Sequence, residues 1–390
     1  MKNIKKIEDC TACFACVDIC PKQCITVKTN QGLEEIVEVD ENICILCGQC
    51  LKVCQVHTGC DDILHSNTQC YAVQSAEPLK DRIHHSSGGL VTVLSKCMIS
   101  NGGVVAATVW NKKHQAEFAL ISDEKELHRC VGSKYVHSDA TGIYRQIVEK
   151  LGKGILVLFV GLPCQVAALI RYVNSFPDGN LADMLYTVDL VCHGTPPSDY
   201  LQEYIGKYLR KGNADEIKFR GEKDFCLSLI TEGKYLYSVP ANRDTYFRAF
   251  LDGVIYRENC YKCKYARPER VGDITAGDFW GLNRGKTEID FQGRVSLCLI
   301  NSEKGQALFK LSKKNLIYEK REYSEALSEN KQLTEPTLKK PEVDKFKSNI
   351  KNKGFVKAIK KTESHAEVKR NIKLFRRQII VGRLKKALRM

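Results

Sequence analysis

Two kinds of hydrophobic patterning divide the chain. From Ile25 to Asp40, ITVKTNQGLEEIVEVD alternates apolar and polar residues on either side of Asn30-Gln31-Gly32, which predicts a β-hairpin. After Cys70, short apolar strand-like runs alternate with helical stretches, the pattern of an α/β body. HHSSGGLVTVLSKCMISNGG predicts an apolar helix with Ser86 and Ser87 as candidate N-caps and a stop at Asn101-Gly102. Two further units share one layout. GILVLFVGLPCQVAALIRYV reads as a buried strand, a loop ending in Cys164 and a helix; MLYTVDLVCHGTPPSDYLQEYIGKYL reads as a strand, Cys192, a Pro-rich loop and a helix capped by Ser198. Near the C-terminus Ile372, Phe375, Ile379, Leu384 and Leu388 recur at near-helical spacing, predicting an amphipathic helix. The longest apolar run, around Ile155 to Val160, falls far short of the roughly 20 residues of a membrane-spanning helix.

One internal repeat stands out. Cys10, Cys13, Cys16 and Cys20 are followed 34 residues later by Cys44, Cys47, Cys50 and Cys54, both runs reading C-x2-C-x2-C-x3-C. Three cysteines at this spacing let a tight loop wrap one face of a cubane cluster while the fourth reaches the other cluster. The expected assignment is therefore crossed: Cys10, Cys13, Cys16 and Cys54 for one 4Fe-4S centre, and Cys44, Cys47, Cys50 and Cys20 for the other. With the hairpin between the runs, this predicts a bacterial-type ferredoxin module. Zinc knuckles are the alternative, but zinc sites are normally two C-x2-C pairs. Gln55 stands where the first repeat has Pro21. Cys24 and Cys60 exceed the ligand count and read as small buried hydrophobes.

The chain holds 19 cysteines and opens MKNIKKIEDC, without a secretory signal pattern, so a reducing cytoplasm is expected. A lone C-x2-C pair, Cys260 and Cys263, lacks two ligands. Cys164 and Cys192 each sit where a strand gives way to a helix, the edge at which open α/β sheets bind ligands, so the four thiols could form a third cluster. The dipole of its helix would favour the Cys164 thiolate. Against this stands a reading in which Cys164 and Cys192 are buried and the pair is a half-used zinc or redox site. Cys97, Cys130, Cys226 and Cys298 read as core. The Ser-Ser-Gly-Gly turn before a helix also suits a phosphate.

Net charge modifies the picture only at one end. The chain carries +14, yet residues 339–390 hold 18 Lys and Arg against four Asp and Glu, so the rest balances. Most such runs are solvated helix faces; a membrane surface or an acidic protein is the sharper reading for this basic tail. Nucleic acid is disfavoured because the tail has few aromatics.

GLPCQVAAL, DLVCHGTPPS, YRENCYKCKYARPERVGDITAGDFWG, SSGGLVTVL and GSKYVHS together resemble the family of coenzyme F420 hydrogenase/dehydrogenase beta subunits, from about Cys70 to about Tyr318. The expected architecture is an α+β ferredoxin-like module over residues 1–66, an α/β flavin body over 67–338, and a basic helical tail over 339–390. The resemblance implies FAD beside a cluster held by Cys164, Cys192, Cys260 and Cys263. It makes Ser87, Gly88, Gly89, Ser133, Lys134 and Tyr135 candidate FAD contacts, with Gly277 and Asp278 either contacts or a structural turn. His193 could deliver a proton, or cap a helix or orient a cluster; His84 and His85 are placed at a pocket rim. Arg267 and Arg270 would meet an anionic substrate or lie on the surface.

The implied function is an oxidoreductase that exchanges electrons with ferredoxin or another redox protein and acts on a two-electron small-molecule substrate such as a deazaflavin. An electron-transfer or docking subunit without its own substrate site is the alternative, and a zinc-stabilised binding module a third. No G-x-G-x-x-G follows a strand, which argues against a bound nicotinamide.

Overall fold

A computed structural model describes residues 3–79, 85–177, 179–209, 214–221 and 225–387. Strands β1 (Ile25–Thr29) and β2 (Glu35–Val39) form the hairpin, pairing Ile25 with Val39 and Thr29 with Glu35. The cysteine loops flank it with short helices, Ala15–Ile19 and Gln49–Lys52.

The body is built on an eight-stranded mixed sheet. Its strands are β3 (Gln69–Ser75), β4 (Val104–Trp110), β5 (Ala116–Ile121), β6 (Val157–Gly161), β7 (Leu185–Leu190), β11 (Ile274–Asp278), β12 (Ser296–Ile300) and β13 (Leu316–Arg321). The order is β13-β3-β12-β11-β7-β6-β4-β5. The four central strands β11, β7, β6 and β4 run parallel, and both edges turn antiparallel. All five residues of β6 are buried, as expected of a strand covered on both faces. A second, three-stranded antiparallel sheet, β8 (Glu216–Arg220), β9 (Phe225–Thr231) and β10 (Lys234–Pro240), was not expected from the sequence.

Buried polar contacts lock the N-terminal module onto the body. The Asp18 carboxylate accepts from the backbone N–H groups of Gly142 at 2.7 Å and Tyr144 at 3.1 Å, capping the helix Ile143–Leu151 from outside its own segment. Glu35 of the hairpin accepts from the Ser198 backbone N–H at 2.7 Å and from buried Arg257. The helix Ser198–Leu209 thus begins at the expected serine, with a carboxylate from the hairpin at its N-terminus.

Two local expectations need correction. The helix Leu90–Ser100 has Gly89 as its N-cap rather than Ser86 or Ser87, because the chain reverses through Gly89 at φ +92°. The C-terminal segment is three helices, Pro341–Lys353, Phe355–Ile359 and Glu363–Ala387. Val343, Phe346, Ile350 and Phe355 are buried in one cluster with Tyr200 and Tyr246, so the body's packing continues past residue 339. Lys347 meets Glu34 and Glu258, each at 2.8 Å. Farther along, Leu374 and Ile379 are exposed, and Phe375 is covered on one side by the Arg243 guanidinium, 3.9 Å from its ring centre. Leu388 lies outside the described residues, and so does His84.

Phe346 is 2% exposed, and Phe346→Ala is expected to cost about 3–5 kcal/mol in denaturant unfolding. A change below about 0.5 kcal/mol would instead indicate a solvated arm.

Candidate iron-sulfur site

The sheet explains why cysteines 28 residues apart in sequence meet. β6 and β7 are adjacent and parallel, so the segments leaving their carboxyl ends emerge side by side, carrying Cys164 and Cys192. Cys164 lies in the first turn of the helix Pro163–Val173. After Cys192 the chain passes through Gly194 at φ +131°, where a Cβ would lie 2.4 Å from the Tyr256 ring, so only glycine fits. The short helical turn Glu258–Lys262 delivers Cys260 and, at its end, Cys263. All four cysteines line one cleft of about 900 Å³, counting the space at its mouth.

Their electrostatics describe thiols crowded away from water. Burial pushes Cys164 well above the ordinary thiol range, and the neighbouring Cys263, Cys192 and Cys260 push it further. The expected favouring of its thiolate by the helix dipole is thus outweighed in the free thiol. Cys192 is raised by burial, Cys260 and Cys263, against the opposing pull of the Gly194 N–H and Arg270. Cys263 is raised by burial but drawn down by the N–H groups of Tyr265 and Ala266 and by Arg270. Four thiolates here need a compensating cation, and an iron-sulfur cluster bound through all four would supply it.

The N-terminal cysteines fall into two groups. Cys20, Cys44, Cys47 and Cys50 line one pocket, together with Cys24. Cys54 lies instead with the first run: burial raises Cys13 to about 12, with further push from Cys10 and Cys54. Cys24 and Cys60 are buried, as expected, but Cys24 is more than filler, since its sulfur lies 3.4 Å from that of Cys20. Cys97 and Cys298 are buried, and Cys130 and Cys226 half-buried. Among the described residues no three His, Cys, Asp or Glu side chains converge on a single metal ion; two of the cysteine groups line pockets instead.

The other candidates gather at the same sheet edge, around a residue that the sequence did not single out. Arg220 of β8 pairs with Asp278, donates to the Tyr135 hydroxyl at 3.3 Å and lies 3.8 Å from the centre of the Phe225 ring. His193 opens to solvent at the cleft, yet its enclosing walls lower its pKa, Asp278 pulling it up and Arg220 pushing it down. Lys134 donates to the Cys130 and Gly132 carbonyls, both at 3.4 Å, and no carboxylate pairs with it among the described residues. Burial pulls its ammonium down to about 8. Ser133 is half-buried beside it.

Ser87 and Gly88 serve the sheet. The Ser87 hydroxyl donates toward the Gly277 and Val295 carbonyls, at 3.4 and 3.2 Å, and a Cβ on Gly88 would meet the Val73 carbonyl oxygen at 2.4 Å. A Cβ on Gly277 would press on Val191 at 2.8 Å. His85 is not at a rim: it is buried and bonded to Glu77 and Thr92. Arg267 is a surface residue bridged to Asp61 and Glu269. Arg270 is buried at the wall of the cysteine cleft, its guanidinium 2.8 Å from the Asp189 carboxylate, rather than on the surface.

The fold is thus that of a mixed α/β protein with cysteine arrays of iron-sulfur type. Residues 70–143 and 155–326 match the N-terminal and C-terminal models of the coenzyme F420 hydrogenase/dehydrogenase beta subunit, and residues 9–58 match a 4Fe-4S dicluster domain. The chain belongs to the family of coenzyme F420 hydrogenase/dehydrogenase beta subunits. It is 24% identical over 299 residues to an F(420)H(2) dehydrogenase subunit of Methanosarcina mazei, covering 72% of this chain and 80% of that one. It is 26% identical over 169 residues to the coenzyme F420-dependent sulfite reductase of Methanocaldococcus jannaschii, 43% of this chain but only 26% of the relative. A chain of the F420-reducing NiFe hydrogenase complex from Methanosarcina barkeri aligns with TM-score 0.46 at 17% identity, over 77% of this chain and 92% of that one.

Lys134 makes the folded chain respond to pH. Its ammonium is expected to lose its proton near pH 8 in the folded chain, followed by NMR of labelled lysine side chains. An unfolded lysine holds its proton to about 10.4, so between these values the unfolded state binds more protons and this group makes folding more favourable as pH rises. Ordinary titration above pH 10 in the ligand-free chain would contradict the burial of this cation.

Proposed function

We propose that this chain is an iron-sulfur flavoprotein oxidoreductase, in which twelve cysteines hold three 4Fe-4S clusters. Cys10, Cys13, Cys16 and Cys54 would hold one, Cys44, Cys47, Cys50 and Cys20 the second, and Cys164, Cys192, Cys260 and Cys263 the third. The observation that carries this reading is the shared cleft of the last four. Burial there disfavours free thiolates, a cost that bound iron offsets. Within the second set, burial opposes ionisation of Cys20, but the Cys24 N–H and thiol and the N–H groups of Lys22 and Gln23 outweigh it and lower its pKa.

FAD would lie at the same sheet edge, contacted by part of the expected set. Lys134, a desolvated cation without an acid partner, would hold a diphosphate; Ser133, Tyr135 and the Arg220–Asp278 pair would border the ring system, whereas Gly89 is closed off by His85 and Ser75 and shapes the helix start. Ser87, Gly88 and Gly277 contribute by shaping the backbone rather than by direct bonds. When bound, a flavin supplies the exchange between one-electron and two-electron chemistry. His193, open to solvent and held below the ordinary histidine range, is neutral at pH 7 and accepts or relays a proton at its ring nitrogen. The substrate class is a deazaflavin such as coenzyme F420, a choice supported by the names of the relatives.

A protein redox partner is part of this reading. Ile43, Ile45 and Leu46 are exposed around Cys44 and Cys47, at the outer end of the N-terminal module. That surface also suits the second reading, an electron-transfer component of a larger complex. The exposed basic residues of the terminal helix suit an anionic surface, and no helix among the described residues is long and apolar enough to cross a membrane.

Anaerobically purified protein is expected to contain about twelve iron atoms and one FAD per chain, and Cys192→Ser about eight iron atoms with both N-terminal clusters kept. Equal iron in wild type and variant would contradict the third cluster, and absence of flavin would leave the electron-transfer reading standing.

A further inference from the structure

Gln55 breaks the cysteine repeat, and the structure gives that departure a use. Its side chain, 1% exposed, donates to the Thr11 hydroxyl at 2.7 Å and accepts from the Tyr265 hydroxyl at 2.7 Å. Thr11 belongs to the Cys10–Cys16 loop, and Tyr265 lies two residues past Cys263. We propose that Tyr265 and Gln55 are positioning residues that hold the Cys10–Cys16 loop and the Cys260–Cys263 loop at one fixed spacing. The inference rests on the ligand sets proposed above for its purpose, but on geometry alone for its existence.

The neighbouring contacts show how narrowly this loop is held. Three successive residues are gripped by three different buried side chains: Thr11 by Gln55, the Ala12 carbonyl by His137 Nε2 at 3.0 Å, and the Cys13 carbonyl by the Tyr144 hydroxyl at 2.8 Å. On the body side the Tyr265 carbonyl accepts from Arg270 Nη1 at 2.9 Å, and Arg270 is anchored by Asp189 of β7. A continuous chain of bonds therefore runs from the central sheet to the first cysteine loop. Pro21, at the equivalent place in the first repeat, has no side-chain donor or acceptor and could not make this connection. A buried amide satisfied at both ends resists displacement, because either lost bond leaves an unpaired polar group.

The loop of Cys44 and Cys47 has the opposite setting, with Ile43, Ile45, Leu46 and Cys47 exposed. One cysteine loop thus faces inward and is clamped, and the other faces outward. Cys13 is buried in the apolar cluster against which Cys164 and Cys263 pack, so the clamped loop is the one next to the body cysteines. Fixed spacing matters there because electron exchange between iron-sulfur groups falls steeply with separation.

Tyr265→Phe keeps the ring and removes only the hydroxyl; Gln55→Leu removes both bonds and serves if the first variant folds poorly. With iron content matched to wild type, hydrogen exchange at the backbone of Thr11 to Cys13 is expected to rise about tenfold, the size of one lost buried hydrogen bond. The increase should be confined to that loop and to residues 263–266, and the magnetic splitting between neighbouring reduced clusters should weaken. Exchange and splitting unchanged in both variants would overturn the proposal, as would an increase spread evenly over the body. If wild-type protein holds only about eight iron atoms, the third-cluster reading fails while exchange at residues 11–13 still decides the clamp.

Discussion

Parallel pairing of β6 with β7 is the constraint from which the rest of the site follows. Because both strands point the same way and lie side by side, the loops at their carboxyl ends are delivered to one place, whatever their separation in sequence. The register, with Val157 opposite Leu185 and Gly161 opposite Asp189, sets Cys164 and Cys192 at the same level of the sheet edge. Strand β11 joins β7 in parallel and brings Asp278 to that edge too. The Cys260 pair then needs only a short helical turn to complete the quartet.

Burying sulfur and charge together has to be compensated, and the structure does so with paired groups rather than with solvent. Asp189, though burial raises its pKa, is held beside Arg270 and the Thr275 hydroxyl, and Arg270 directs Nη1 to the carbonyls of Tyr265 and Arg267 and Nε to the Thr275 hydroxyl. Removing either partner of such a pair strands a buried charge. Asp18 and Glu35 dock the N-terminal module by the same means, as carboxylates bonded to backbone N–H groups and arginines. The module and the body are therefore joined by directional bonds, which suits a protein in which distances between cysteine groups must not drift.

Much of this was legible beforehand, for identifiable reasons. The hairpin was readable because a period-two alternation flanks a turn, and the approach of Cys164 to Cys192 because two strand-loop-helix units repeat; the spacing alone did not join Cys260 and Cys263 to them. The three-stranded sheet was missed: β8, EIKFR, alternates but over only five residues, and β10, KYLYSVP, is half exposed and lacks a clean alternation. Ser86 and Ser87 looked like caps because serine usually is one, but close packing of Gly88 on β3 and β12 moved the helix start to Gly89. Arg270 read as a surface arginine because its partner, Asp189, lies 81 residues away. Arg220, His137 and Tyr144 had no local signal at all, whereas Gln55 did: the mismatch with Pro21 was visible, but its meaning depended on Tyr265.

The most direct measurement is an anomalous difference map at the iron edge from anaerobically grown crystals of the full chain. Iron density is expected in the cleft bounded by Cys164, Cys192, Cys260 and Cys263, in addition to the two sites of the N-terminal module. A cleft without iron, or one holding a single zinc ion on Cys260 and Cys263 alone, would contradict the assignment of these four residues to one cluster.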